Sequence, residues 1–361
     1  MKRKIAALML SAGLLGSTFP EAEAVGEKAE KLKVMPLGDS ITDGYWEQGG
    51  YRKYLSCTLR EMGIDNIDLV GPKGADTETF TYNGAEVQYD GNYAGYSGYA
   101  IQYMDGKETR QGILETLKDG NLIKKYSPDI VLLQIGTNDV LSAYNDGITD
   151  RLENLVNYIL EEGGSGVTVF VSTIPDIDSV LVSDWLWAYG EEKWNSTPEE
   201  FAVKVQGCVD SYNESVWNLV MKLQGEGKKV MHGDIHSVVD MKTDLYDGVH
   251  PNESGYEKMG KYWADAVADY IDAVEPDTQT SESSSDVPSE PGTEVETETE
   301  TATGEIRQKT YRHSDMWILG NFLLNRKIDP IPEVSLHDYD LTHDGRIDGF
   351  DMVALRRLIE G

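Results

Sequence analysis

Five short strand-like runs, several of them nearly continuous apolar series, alternate with stretches of helical spacing, and this alternation leaves few architectures open. The strand-like runs are 33–37, 67–70, 129–135, 167–174 and 229–235. In Ile130-Val131-Leu132-Leu133 no polar residue breaks the series. A strand with one wet face alternates polar and apolar residues, so continuous runs predict parallel strands covered on both faces. Helical spacing occupies 51–62, 151–161, 199–223 and 253–273, and Asn252, just after Pro251, is placed to cap the last of these. The pattern predicts a three-layer α/β domain with a parallel five-stranded sheet and right-handed crossovers. Ligands in such sheets sit beyond the carboxyl ends of the strands.

A chain of 361 residues is too long for one typical core, and the composition divides it further. Residues 1–24 read as a secretory signal: Lys2-Arg3-Lys4, an apolar stretch from Ile5 to Leu15, and Ala22-Glu23-Ala24 as a cleavage site. The apolar stretch is shorter than the ~20 residues that span a bilayer, so no membrane association is expected after cleavage, and the mature protein is expected outside the cell. The α/β pattern falls within 25–274. Residues 275–304 are rich in Ser, Thr, Pro and Glu and carry no basic side chain. They cannot bury enough surface to fold and read as an extended tether. Residues 305–361 regain apolar residues, and Asp315-Met316-Trp317-Ile318-Leu319 is echoed by Asp351-Met352-Val353-Ala354-Leu355, which suggests a small duplicated helical module. The formal net charge of -31, from 63 acidic and 32 basic residues, argues against a nucleic-acid partner. Export would allow Cys57 and Cys208 to pair, and two free thiols fit equally well.

Four segments carry the chemistry. Val34-Met35-Pro36-Leu37 runs into Gly38-Asp39-Ser40-Ile41, which places a serine just past a strand end. Asp247-Gly248-Val249-His250 supplies an imidazole with a carboxylate three residues before it. A serine hydroxyl attacks an ester only when a base takes its proton, and a carboxylate orients that base. Ser40, His250 and Asp247 are therefore the expected nucleophile, base and orienting acid. The oxyanion would be met by the backbone N–H of Ser40, the backbone N–H of Gly95 and the side-chain amide of Asn138 in Gly136-Thr137-Asn138-Asp139. No cofactor is required for this chemistry. Each segment alone is commonplace: Gly-Asp-Ser is often a turn, and Asp-x-x-His can be half a metal site. Their order and shared position at strand ends point to an esterase. The insertion 176–198, with Trp185, Trp187, Tyr189 and Trp194, is either an aromatic platform for sugar or a cluster that holds a long loop together.

These four blocks resemble the signatures of SGNH (GDSL-type) hydrolases. Met35-Pro36-Leu37-Gly38-Asp39-Ser40-Ile41-Thr42-Asp43-Gly44, Gly49-Gly50-Tyr51-Arg52 and Asp247-Gly248-Val249-His250-Pro251-Asn252 with Gly255-Tyr256 resemble the third carbohydrate esterase family. The resemblance covers roughly residues 31–273. It implies a flavodoxin-like α/β/α fold and removal of acetyl groups from xylan or its oligosaccharides. Tyr96 stands where that family has a histidine, which bears on substrate preference.

The tail resembles a dockerin, the module that docks secreted wall-degrading enzymes onto a cohesin of a cellulosome scaffold. The resemblance implies an EF-hand-like loop over 340–351. Its oxygen ligands would be Asp340, Thr342, Asp344, the carbonyl of Arg346, Asp348 and Asp351, with Gly345 at the sharp turn. The first repeat offers Gln308 and Arg312 where carboxylates are wanted, so one calcium ion is expected. Two other functions fit the same fold: an SGNH lipase or thioesterase acting on other acyl esters, and a non-catalytic wall-binding component.

Overall fold

Parallel pairing joins β1 (Leu32–Gly38), β2 (Ile67–Leu69), β6 (Ile130–Gln134), β7 (Thr168–Ser172) and β8 (Val230–Gly233) in the order β2-β1-β6-β7-β8. These are the five apolar runs of the sequence. The computed structural model describes residues 31–104, 110–143, 145–182 and 197–274. The expected signal segment, the expected tether, the tail with its expected calcium loop, and residues 183–196 of the Trp-bearing insertion lie outside the described residues.

Side chains alternate across the sheet because successive residues of a strand point to opposite faces. Met35, Leu37, Val131, Leu133, Val169 and Val171 enter one core cluster, and Val34, Ile130, Leu132 and Phe170 enter the other. Helices α3 (Ile113–Gly120), α4 (Leu122–Tyr126), α6 (Ile148–Gly163) and α7 (Pro198–Gly225) cover the first face. The second is covered by α2 (Gly50–Glu61) and α8 (Glu253–Val274). This is the α/β/α sandwich that the uninterrupted runs require.

Helices α2 and α8 approach closely because Gly260 has no side chain. A Cβ there would lie 2.4 Å from the Tyr54 Cβ and 2.6 Å from the Tyr51 carbonyl oxygen. Asn252 caps α8 as expected: its Oδ1 accepts from the Gly255 N–H at 3.1 Å, and its carbonyl from the Tyr256 N–H at 2.9 Å. Trp263 of α8 is fully buried, edge-on to Phe170 with ring centroids 6.2 Å apart, and Gly233 makes room for it.

Several elements are additions to the expected set. A two-residue strand, β5 (Ala94–Gly95), pairs with the end of β1 and makes the sheet six-stranded. An antiparallel hairpin, β3 (Glu78–Tyr82) and β4 (Ala85–Tyr89), turns at Asn83 and Gly84, both at positive φ. Helices α3 and α4 meet at Asn121, also left-handed at φ 48°. Cys57 and Cys208 are free thiols; they belong to α2 and α7, on opposite faces of the sheet. Among the described residues no helix is long and apolar enough to cross a membrane. Trp263→Ala should lower the unfolding free energy by about 3–5 kcal/mol, the usual cost of deleting a buried large aromatic. Urea denaturation measures it, and a loss below about 1 kcal/mol would contradict the packing described.

Candidate active site

The serine sits where β1 ends against two neighbours. Gly38 pairs with Gly95 of β5 and with Gln134 of β6. A Cβ at Gly38 would lie 2.0 Å from the Gln134 carbonyl oxygen, so only glycine fits. The chain then turns into α1 (Ser40–Asp43), whose Asp39 cap accepts the Ile41 N–H through Oδ1 at 3.0 Å. Gly44, at φ 84°, ends the helix and donates its N–H to the Ser40 carbonyl at 3.1 Å. The Ser40 N–H heads this turn, where no preceding helical carbonyl is available to it. Arg52 fixes the far side of the turn: it donates to the Thr42 carbonyl and lies 3.6 Å over the Tyr93 ring.

Ser40 and His250, 210 residues apart, meet directly: Ser40 Oγ is 2.8 Å from His250 Nε2. On the other side of the ring, His250 Nδ1 is 2.8 Å from Asp247 Oδ2. The Asp247 carboxylate accepts three more donors. The N–H groups of Val249 and His250 reach Oδ1 at 3.1 and 2.9 Å, and Trp46 Nε1 reaches Oδ2 at 2.8 Å. Burial alone would favour the neutral acid, but bonds from the His250 side chain and backbone, its charge, and the Trp46 N–H outweigh it and hold Asp247 well below the ordinary carboxylate range. The loop that carries these residues is closed by a Leu245–Pro251 bridge and by the Tyr246 N–H on the His250 carbonyl at 2.8 Å.

Gly95 and Asn138 flank the serine turn from the neighbouring strand ends. The Tyr96 N–H donates to the Gly38 carbonyl at 2.9 Å, so the preceding Gly95 N–H lies on the opposite edge of its strand from β1. A Cβ at Gly95 would come within 2.5 Å of the Asp43 nitrogen, and the absence of one lets α1 close onto β5. Asp43 ties the two together. It accepts from Lys73 Nζ, Tyr93 OH and Ser97 Oγ at 2.8, 2.7 and 2.6 Å, while Lys73 also donates to the Gly95 carbonyl at 2.8 Å. Asn138 lies in α5 (Thr137–Leu141), just past β6. Arg110 donates to its Oδ1 at 3.2 Å, which orients the amide, and its Nδ2 donates to the Tyr99 carbonyl at 2.9 Å. An amide nitrogen carries two hydrogens, so a second N–H remains for a ligand. Tyr96, at the position of the expected histidine, stacks on Tyr99 at 5.2 Å.

Two further acids lie beneath the turn. Asp139 is buried, accepts the Ile101 N–H at 3.0 Å and pairs with Arg151 at 3.1 Å; burial outweighs these contacts and lifts it to about 6. Asp39 is fully buried, and burial raises it to about 7 against the lowering effect of the Ile41 N–H. The Thr137 hydroxyl beside it has a small lowering effect, and neither the Asp39 Oδ2 nor the side-chain polar atoms of Gln134 make a well-formed hydrogen bond. A proton on Asp39 spares the site a buried ionised oxygen without a well-formed hydrogen bond. Among the described residues one group has metal-ligand composition, Asp176, Asp210 and His236, and it lies apart from the triad contacts. His236 Nε2 is already on Asp176 Oδ1 at 2.9 Å, and Gln206 Nε2 bridges Asp176 and Asp210.

Sequence reasoning did not single out the side chains that brace this arrangement. Trp46, Lys73, Asp43 and Arg110 act through contacts 12 to 201 residues distant, as in Arg110 to Gly98 and Trp46 to Asp247. Tyr45, stacked on His250 with centroids 4.5 Å apart, was also not foreseen. Only the position of Tyr45-Trp46 directly after the serine turn offers a local signal.

A family model described as GDSL-like Lipase/Acylhydrolase matches residues 34–263. A protein of Ruminococcus flavefaciens described as "Multidomain esterase" is 40% identical over 349 residues, which are 96% of this chain and 41% of that protein. This chain thus spans about two fifths of that relative's length. "Putative endoglucanase X" of Acetivibrio thermocellus is 27% identical over 177 residues, 48% of this chain and 66% of that protein. Among solved structures, "Clostridium thermocellum family 3 carbohydrate esterase" is 24% identical with a TM-score of 0.47, covering 68% of this chain and 99% of that one.

The raised Asp39 has a consequence for stability. Below 3.8 it is protonated folded or unfolded; between 3.8 and about 7 only the folded chain keeps the proton, so its contribution to stability is lost as pH rises through that window. Asp39→Asn keeps the Ile41 acceptor without the charge. The variant should gain on the order of 3 kcal/mol relative to wild type between pH 5 and pH 8. Urea unfolding at the two pH values measures this, and an equal difference at both would show Asp39 ionised throughout.

Proposed function

Because the chain belongs to the GDSL-like lipase/acylhydrolase family, we propose that its serine site removes O-acetyl groups from xylan or xylo-oligosaccharides. The observation that carries the chemistry is the pair of 2.8 Å contacts from Ser40 Oγ through the imidazole to Asp247. Ser40 Oγ attacks the acetyl carbonyl carbon while His250 Nε2 takes its proton. Asp247, ionised and fixed by its other donors, holds Nδ1–H and offsets the imidazolium charge. Negative charge gathers on the carbonyl oxygen, where the N–H groups of Ser40 and Gly95 and the free N–H of Asn138 stabilise it. His250 then protonates the departing sugar oxygen, leaving acetyl-Ser40. Water, deprotonated by the same imidazole, attacks the acyl carbon and releases acetate and the free serine.

Support for an ester comes from the family and from the relative described as an esterase. Support for a carbohydrate comes from the long motif match to the third carbohydrate esterase family around Ser40, Arg52 and His250. Secretion through residues 1–24 would bring the enzyme to its polymer. The tail, as a dockerin holding one calcium through Asp340, Thr342, Asp344, Arg346, Asp348 and Asp351, would tie it to a cohesin.

Wild type should release acetate from acetylated xylan, measured by product chromatography, in preference to cleaving long-chain esters. Ser40→Ala should lower kcat by ~10⁴-fold or more, and Asn138→Ala by ~10²–10³. Equal acetate release by wild type and Ser40→Ala would end the assignment. Calorimetric titration of the full chain with calcium should show one equivalent bound, lost in Asp340→Ala. Two equivalents, or none, would refute the single-site tail.

A further inference from the structure

Beside the triad lies an aromatic surface that acyl transfer does not use. Trp46 is 58% exposed and Tyr246 63% exposed. Their ring centroids are 5.1 Å apart and the planes inclined by 33°, so the two exposed rings pack against each other as one aromatic cluster. Tyr45, which packs on His250, meets Trp46 edge-on at 5.0 Å and joins the patch to the imidazole.

Two features set this patch apart from incidental surface aromatics. Trp46 adopts φ 67°, a left-handed backbone that side-chain-bearing residues rarely accept. Its indole N–H is held by Asp247 Oδ2 at 2.8 Å, and the Tyr246 backbone by the His250 carbonyl at 2.8 Å. The Trp46 ring is thereby held by the carboxylate that serves His250, and the Tyr246 backbone is tied to the same loop. A strained backbone that keeps a large ring in water, at a fixed place next to the nucleophile, calls for a ligand that covers that ring.

The exposed rings are apolar on their faces and open to solvent. A pyranose fits these terms: its axial C–H groups pack on an aromatic face while its hydroxyls stay hydrated. We propose that Trp46 and Tyr246 form a stacking platform for a sugar ring of the substrate, which fixes how an O-acetyl group is presented to Ser40. The platform rests on the carbohydrate assignment above and adds the residues that determine its specificity. It also differs from the sequence-based candidate, the Trp-bearing insertion.

The test compares kcat/KM on an acetylated xylo-oligosaccharide with that on an aryl acetate lacking sugar, both on the same sample, so the fraction of folded enzyme cancels. Tyr246→Ala and Trp46→Ala should each lower the oligosaccharide-to-aryl ratio by about tenfold through a higher oligosaccharide KM. Trp46→Phe, which keeps a ring and loses the N–H, should retain most of that ratio while its kcat falls on both substrates. A parallel change on the two substrates in both alanine variants would overturn the platform while leaving the carbohydrate assignment intact. Wild type that cleaves the aryl ester but no sugar acetate would overturn that assignment, and the platform with it.

Discussion

The crowding around Gly38 is the constraint from which the site follows. Three strand ends meet there, with Gly95 on one side and Gln134 on the other, at distances that exclude any side chain. Parallel strands end at the same edge of the sheet, so residues just past β1, β5 and β6 share one neighbourhood whatever their separation along the chain. Ser40, Gly95 and Asn138 occupy these positions. The fourth part arrives differently: the Asp247–His250 loop lies between β8 and α8, and α8 packs on α2, which follows the serine turn. The sheet positions the proposed oxyanion donors, and the helix pair anchors the loop that carries His250.

The site holds its two triad-adjacent carboxyl groups in opposite charge states. Asp247 meets four donors and stays ionised; Asp39 is fully buried, and burial outweighs its contacts with Ile41 and Thr137 and raises it to about 7. The acids are alike, and environment alone divides them. The division suits the geometry. The ionised carboxylate behind the imidazole favours proton transfer to it.

Much of this was legible in the sequence, for reasons that are themselves physical. Apolar runs such as 130–133 are buried on both faces, so their pattern survives any detail of packing. The Gly-Asp-Ser and Asp-x-x-His segments are local, and Asn252 caps its helix from the adjacent residue. What escaped was either weakly patterned or long-range. β5 has two residues and no periodicity to detect. The strands of the Asn83-Gly84 hairpin, 78–82 and 85–89, are largely exposed and lack the continuous apolar pattern that marks the central strands. The bracing contacts of Lys73, Arg110 and Trp46 depend on which loops the fold brings together, and no spacing rule encodes that.

The junction of Ser40 with His250 has one more implication. It closes a ring of chain that includes every strand of the sheet but β1, which ends just before Ser40, while β8 precedes the loop of His250. A partly assembled form, with the last helix detached from α2, still has its nucleophile turn but not the imidazole. Hydrolytic competence therefore requires the last helix to be docked on α2. The chemistry itself becomes a gauge of whether the two ends of this domain have found each other.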